Sequence, residues 1–393
     1  MRDEWEKVTL GDLMTFKNGL NFTQDSNGKE YNFLGVGCFK SKNSIKNASE
    51  LETVYISNPV DKDYLLKKDD LVFVRSNGSK ELVGRCVLIE NDISNATYSG
   101  FCIKGVLKSE KTTSKYILKN IEAGFLKEKL KHENRGTNIS NLNQEILNSL
   151  EIKLPTLNEQ DKIIETLNVW DSAIEKTEKL ISEKEKMFNA ISQRFFRKSG
   201  VKHKISEYLS IRNEKCIPND TIPLYSLTIE DGVTPKTDRY EREALVKDSG
   251  EKEYKVVYPG DLVFNPANLR WGAIARSNET NKVAVSPIYE VLSVNTSKIN
   301  SDYLTFLLTS KDKIQYYATK TEGTLVERMA VKVDVFLNFE IEIEENYEKQ
   351  KASAEVLTVL KKEISLLKKQ LEQYKLQKQG LMQKLLTGEW RIE

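Results

Sequence analysis

Hydrophobic and polar positions along the chain show two textures, and the pair of textures occurs twice. Short β-branched and aromatic runs bounded by turn residues, at 70–74, 86–90 and 101–107, predict strands. Runs at 224–229, 261–264 and 283–285 have the same character. Helical spacing over 114–131 and 301–317 predicts helices among them. The second texture begins at Ile163, where the apolar steps become 4, 3, 4: Ile163, Leu167, Trp170, Ile174, then Ile181, Phe188, Ile191 and Phe195. Thr177 and Lys184 fill the remaining heptad positions. The same phasing returns at Leu357, Leu360, Ile364, Leu367, Leu371, Tyr374, Lys378, Leu381 and Leu385. A 3.5-residue period sustained over about four heptads predicts a left-handed coiled coil. At ~1.5 Å per residue each helix would be roughly 50–60 Å long. Such a stripe outruns the flank of one small domain, whereas two matched stripes in one chain can bury each other.

The duplication extends beyond the helices. Asp70-Leu71-Val72-Phe73 recurs as Asp261-Leu262-Val263-Phe264, an offset of 191. Leu150-Glu151-Ile152-Lys153 recurs as Phe339-Glu340-Ile341-Glu342, an offset of 189, and within the helices the offset is 190. A period this long excludes a solenoid and indicates a duplicated domain-plus-helix unit. The predicted fold is α+β, with globular domains at 1–155 and 200–344 and long helices at 156–199 and 345–388. The chain must run out along one helix and back along the other, so the expected pairing is an antiparallel coiled coil with pseudo-two-fold symmetry. Its expected core is Leu167, Trp170, Ile174, Ile181 and Phe188 against Leu357, Leu360, Ile364, Leu367 and Leu371.

Composition narrows the chemistry. Lys plus Arg is 60 against 58 Asp plus Glu in 393 residues, so a charge-driven polyanion binder is excluded. A local basic face remains compatible with near-neutrality. Residues 158–198 hold eight basic and eight acidic side chains, the mark of a solvated helix exterior. The four cysteines have no C-x₂₋₄-C spacing, which argues against a structural zinc site and fits a reducing compartment. The polar start Met1-Arg2-Asp3-Glu4-Trp5 and the absence of any apolar run near ~18 residues lead us to expect a cytoplasmic protein without a membrane span.

Three motifs carry a family resemblance over essentially the whole chain. They are Trp5-x-x-Val8-x-Leu10-Gly11-Asp12, Leu154-Pro155-Thr156-Leu157-Asn158-Glu159-Gln160, and Leu381-Met382-Gln383-Lys384-Leu385-Leu386-Thr387-Gly388. With the order domain, helix, domain, helix, the sequence resembles the specificity subunits of type I restriction-modification systems. One departure is Glu345-Asn346-Tyr347-Glu348-Lys349-Gln350, which lacks the Leu-Pro of its counterpart. The resemblance implies two target recognition domains in tandem, each reading one half of a bipartite, asymmetric site on double-stranded DNA. It implies helices that set the spacer and dock two methyltransferase subunits, with restriction/translocase subunits where present. It also implies that this chain binds no cofactor, S-adenosylmethionine, ATP and Mg belonging to partner subunits.

Candidate contacts then follow from residue chemistry. Arg75-Ser76-Asn77-Gly78-Ser79-Lys80 follows a predicted strand, and its Asn-Gly step predicts a type I′ hairpin turn. Arg suits guanine and Asn suits adenine through bidentate hydrogen bonds, so Arg75, Asn77, Ser79 and Lys80 are expected contacts. The second-half counterpart is 265–272, where Asn268 and Arg270 are the expected contacts and Trp271 is expected to pack under its loop. A second pair of loops aligns around Gly136-Thr137 and Gly323-Thr324, offering Arg135, Thr137, Thr324 and Arg328 to phosphates. An ordinary turn or a threonine N-cap explains these equally well. Residues 101–135 carry nine basic and four acidic side chains, a local excess facing either solvent or DNA. Lys236, Arg239 and Arg242 are weaker candidates, interleaved with acids.

An enzymatic role finds little footing. Ser286-Pro287-Ile288-Tyr289 and Gly35-Val36-Gly37 are poor matches to methyltransferase motifs, and Gly28-Lys29 lacks the rest of a P-loop. Two histidines without a neighbouring nucleophile give a hydrolytic triad no support. The competing readings are a coiled-coil scaffold for proteins and a self-contained methyltransferase or nuclease with degenerate motifs.

Overall fold

A computed structural model describes residues 5–22, 24–39, 43–79, 81–133, 141–196, 201–235, 252–321 and 330–392. The fold is α+β. Two compact units divide the chain, one formed by 1–176 with 371–393 and the other by 177–370.

In the first unit a five-stranded sheet has the order Met14–Asn18, Cys102–Leu107, Leu71–Val74, Cys86–Ile89, Ser44–Ile45. The run Leu71-Val72-Phe73-Val74 is wholly buried because both faces of this sheet are covered. Leu71 and Phe73 face a core shared with the helices, while Val72 and Val74 face a second core with Leu34, Ile45 and Tyr98. A strand covered on both faces loses its polar alternation and reads as a continuous apolar run. The second core is backed by a three-stranded sheet, Glu52–Ile56, Gln24–Leu34 and Ala96–Tyr98, the last two parallel. The helix expected over 114–131 is two, Ser114–Glu122 and Phe125–Glu133. Gly124 at φ +98° ends the first, a left-handed C-terminal position that glycine takes without steric cost.

The second unit repeats this plan. Its four-stranded sheet, Leu209–Ile211, Glu290–Val294, Leu262–Phe264, Ile274–Arg276, matches the first four strands of the larger sheet in order and direction. Leu262 and Phe264 again face the helix-side core, and Val263 faces the other. The second sheet again contains a parallel pair, Leu224–Thr228 with Val283–Val285. Helices Ser301–Leu308 and Lys311–Thr319 replace the single expected helix, broken at Ser310.

Each unit is closed by a two-stranded antiparallel ribbon. Glu6–Thr9 pairs with Glu151–Leu154, which leads into the first long helix, Leu157–Phe196. Val201–Lys204 pairs with Glu340–Ile343, which leads into the second, Tyr347–Leu386. Both helices have 40 residues, about 60 Å at ~1.5 Å per residue. Within the first unit they run antiparallel, with Trp170 edge-on to Tyr374 at 5.8 Å and Asp171 bonded to Lys378. Within the second unit Lys184 pairs with Glu363 at 2.8 Å and Glu185 with Lys368 at 2.6 Å. Of the heptad positions, Leu167, Ile181, Leu357, Leu360 and Ile364 are buried, whereas Trp170, Ile174, Phe188, Leu367 and Leu371 are half-buried. Phe188 turns its ring toward Phe306 of the globular part, 6.1 Å away. Among the described residues no helix is long and apolar enough to cross a membrane.

Candidate nucleic-acid interface

The loop after the central strand is positioned the same way in both units. Leu71–Val74 is paired with Cys86–Ile89, so residues 75–85 connect them at one end of the sheet. The expected two-residue type I′ turn is absent. That turn needs positive φ at Asn77 and Gly78, but neither has it, and the left-handed residue is Gly84 at φ +80°. Instead Asn77 Oδ1 accepts the Ser79 N–H at 3.2 Å, a local turn inside a longer loop. Tertiary bonds fix the loop's start, since Arg75 donates its N–H to Phe101 O (2.8 Å) and accepts from Leu142 N–H (2.9 Å). Arg75 and Ser79 are exposed and Asn77 is half-buried.

The second unit's loop joins Leu262–Phe264 to Ile274–Arg276. Asn265 Oδ1 accepts the Ala267 N–H at 3.0 Å, and a 3₁₀ turn, Leu269–Trp271, ends on Gly272 at φ +94°. Leu269 is fully buried and anchors the turn, leaving Asn268 exposed and Arg270 half-buried. Pro266 O accepts from Val331 N–H at 3.0 Å, the counterpart of the Arg75–Leu142 bond. Trp271 does not pack beneath the loop. It is 61% exposed, with the Arg270 guanidinium 5.2 Å from its ring centre. The single 3₁₀ turn directs Leu269 inward, and the indole two positions later is directed outward.

Leu142 and Val331 each come after the second loop of their unit in sequence, and each is tied by one backbone bond to the first loop. Lys80, Arg135, Thr137, Thr324, Arg328, Lys236, Arg239 and Arg242 themselves lie outside the described residues.

Two pairs of repeated polar residues hold these loops and helices in place. Asp70 and Asp261, which open the repeated Asp-Leu-Val-Phe motif, are buried and accept backbone N–H groups from Lys67 (2.8 Å) and Tyr258 (2.9 Å). Their charge partners differ. Asp261 takes a bidentate bond from Arg212, at 2.6 and 3.0 Å, which raises the arginine's pKa. Asp70 has Lys104 at 3.9 Å; burial pushes the Asp70 carboxyl up and the Lys104 ammonium down. Gln160 and Gln350, 190 apart, are the buried amides of the two helix starts. Gln160 accepts from Thr112 Oγ1 (2.8 Å) and donates to Lys111 O (2.9 Å) and Pro155 O (3.0 Å). Gln350 accepts from Asn300 N–H (2.9 Å) and donates to Glu344 O (2.7 Å), so the missing Leu-Pro changes the acceptor and keeps the device.

In the first unit a charge network joins the globular part to both long helices. Lys119 contacts Glu122 at 3.2 Å and Asp171 at 2.7 Å, and Lys378 reaches Asp171 and, at 3.7 Å, Glu122. Burial would raise the Asp171 carboxyl, but Lys119 and Lys378 outweigh it and hold the group below the usual carboxylate range.

Residues 2–184 match the family model of the type I restriction modification DNA specificity domain. That match covers the first 184 residues, a little under half of the chain. The specificity domain so matched spans the first globular part and runs into the first long helix. The type I restriction enzyme StySPI specificity subunit of Salmonella potsdam is 28% identical over 202 residues, covering 50% of this chain and 42% of that protein. The match therefore spans less than half of the relative's length. Over the second half the likeness is one of fold alone. The type I S subunit of M. genitalium matches with a TM-score of 0.58 at 15% identity, over 98% of this chain and 97% of that one. A chain from a solved type I R-M system, described for its complex assembly and conformational transition, matches at 0.57 and 13%, over 99% of both. The specificity-subunit fold thus extends over both units.

Proposed function

We propose that this chain is the DNA sequence-specificity subunit of a type I restriction-modification complex. Residues 1–155 and 200–344 act as target recognition domains for the two halves of a bipartite, asymmetric site. The helices, 156–199 and 345–388, set the spacer and dock two methyltransferase subunits. The observation that carries this reading is the repeat. Two units share a sheet order and a loop tied by equivalent backbone bonds, yet present different side chains, Arg75, Asn77 and Ser79 against Asn268 and Arg270. One scaffold with two loop chemistries suits two unlike half-sites. Lys80, Arg135, Thr137, Thr324 and Arg328 belong to the same proposed surface by sequence position.

The chain works in the cytoplasm without catalysing a step itself. S-adenosylmethionine sits on the methyltransferase subunits, and ATP with Mg on any restriction/translocase subunits. Methylation-sensitive sequencing of a host with and without this gene tests the proposal. The expected result is one bipartite motif whose methylation depends on the gene. A methylome unchanged by its deletion would reject the assignment. In the assembled complex, charge-neutral replacement of Arg75 and Asn77 should alter one half-site, and of Asn268 and Arg270 the other.

A further inference from the structure

Large apolar side chains left in water are common singly, and most need no explanation. Their placement here is informative. Among the described exposed aromatics, Phe101 (60%) and Trp271 (61%) are the two most exposed, ahead of Trp390 at 52%. One lies in each unit, and each borders the loop that follows the central strand. Phe101 O accepts the N–H of Arg75, the first residue of the first loop, at 2.8 Å. Trp271 is part of the second loop.

Both rings are presented by stiff backbone. Phe101 N–H donates to Ser99 Oγ at 3.2 Å, Gly100 N–H to Leu20 O at 2.8 Å, and Cys102 N–H to Ser99 O at 2.8 Å. The adjoining Cys102, where the strand begins, is fully buried, whereas Phe101 in the turn before it is exposed. Trp271 stands on the turn anchored by the buried Leu269 and closed by Gly272. A ring held this way loses little freedom on binding. Each is also accompanied by an arginine, Arg75 exposed at the loop start and Arg270 over the indole at 5.2 Å. An apolar surface beside a guanidinium fits a partner that offers apolar base edges next to anionic phosphates, which is duplex DNA.

We propose that Phe101 and Trp271 are specificity-determining residues, each laying its ring against base edges of its own half-site. This rests on the DNA-reading role above and adds an apolar component to it. Apolar contacts of this kind discriminate bases by shape and by the thymine methyl group, where the neighbouring arginine reads hydrogen-bond acceptors. The two units would then share a reading principle that their differing polar side chains conceal.

The test uses the full chain assembled with its methyltransferase partner, and methylation rates on site libraries with each half-site randomised in turn. Phe101→Ala should lower base discrimination on the order of 10-fold at one or more positions of one half-site and leave the other unchanged. Trp271→Ala should do the converse, and Trp271→Phe should retain most of the preference. Unchanged preferences in both half-sites would overturn the proposal, as would an equal loss of binding to every sequence. A fall of several degrees in the thermal midpoint of either alanine variant would assign the ring to packing and overturn it too. If the wild-type complex methylates no bipartite site, the DNA-reading role itself fails, an outcome distinct from normal methylation by unaltered variants.

Discussion

Gln160 shows how much one side chain fixes. Its amide satisfies Thr112, Lys111 and Pro155 in a fully buried setting, so truncation would strand several polar groups away from water. Gln160→Ala should lower stability by about 2–3 kcal/mol, read as a lower urea midpoint of the full chain. Gln350→Ala should cost the second unit a similar or smaller amount, since its amide has fewer partners. The glutamines were visible in the sequence as a pair at the 190-residue offset, but no rule about helices marks a first-turn Gln as buried. The aspartates of the repeated Asp-Leu-Val-Phe motif were likewise legible as a repeat and illegible as anchors, because their partners Arg212 and Lys104 lie 49 and 34 positions away and follow no shared spacing. Trp271 was misjudged for a related reason. Hydrophobicity says that an indole gains by burial, and only the backbone of the 3₁₀ turn shows that Leu269 has taken the inward place.

At the scale of elements, the heptads were the most legible feature, because a 3.5-residue period survives any detail of loop geometry. Their partners were less so. Phe188 occupies a heptad position yet turns to Phe306, and Lys378 serves a charge network. The breaks at Gly124 and Ser310 also escaped, since amphipathic spacing continues across them. The network predicts a pH response. The Asp171 carboxyl is held below its ordinary value, so the stability it contributes is complete above the unfolded carboxylate range near ~3.9 and is lost as pH falls through the depressed folded value. Asp171→Asn should therefore flatten the acid limb of the thermal midpoint against pH, measured from pH 6 to 3. The corresponding joint in the second unit is the aromatic contact of Phe188 with Phe306, so Phe188→Leu should leave that limb unchanged.

For the whole molecule, the proposed role of the helices as a spacer makes a quantitative demand. Adding one heptad to both at corresponding points lengthens each by about 10 Å, equivalent to roughly three base pairs of B-DNA. A methylation-site survey of that variant should find both half-sites unchanged and the spacer altered; an unaltered spacer would end the ruler idea. The duplication was legible from the start, since four-residue motifs at offsets near 190 cannot arise from a solenoid. The division of the chain was not, because it cuts through the interior of both helices, at 176/177 and 370/371, where the heptads continue without a break. That division also orders events in time. The unit 177–370 is one uninterrupted stretch, whereas the other unit joins 1–176 to 371–393, which leave the ribosome only after 177–370. Synthesis delivers the second unit whole before the first, so the first globular part waits, through about half of the chain's translation, for the strand of helix that completes it.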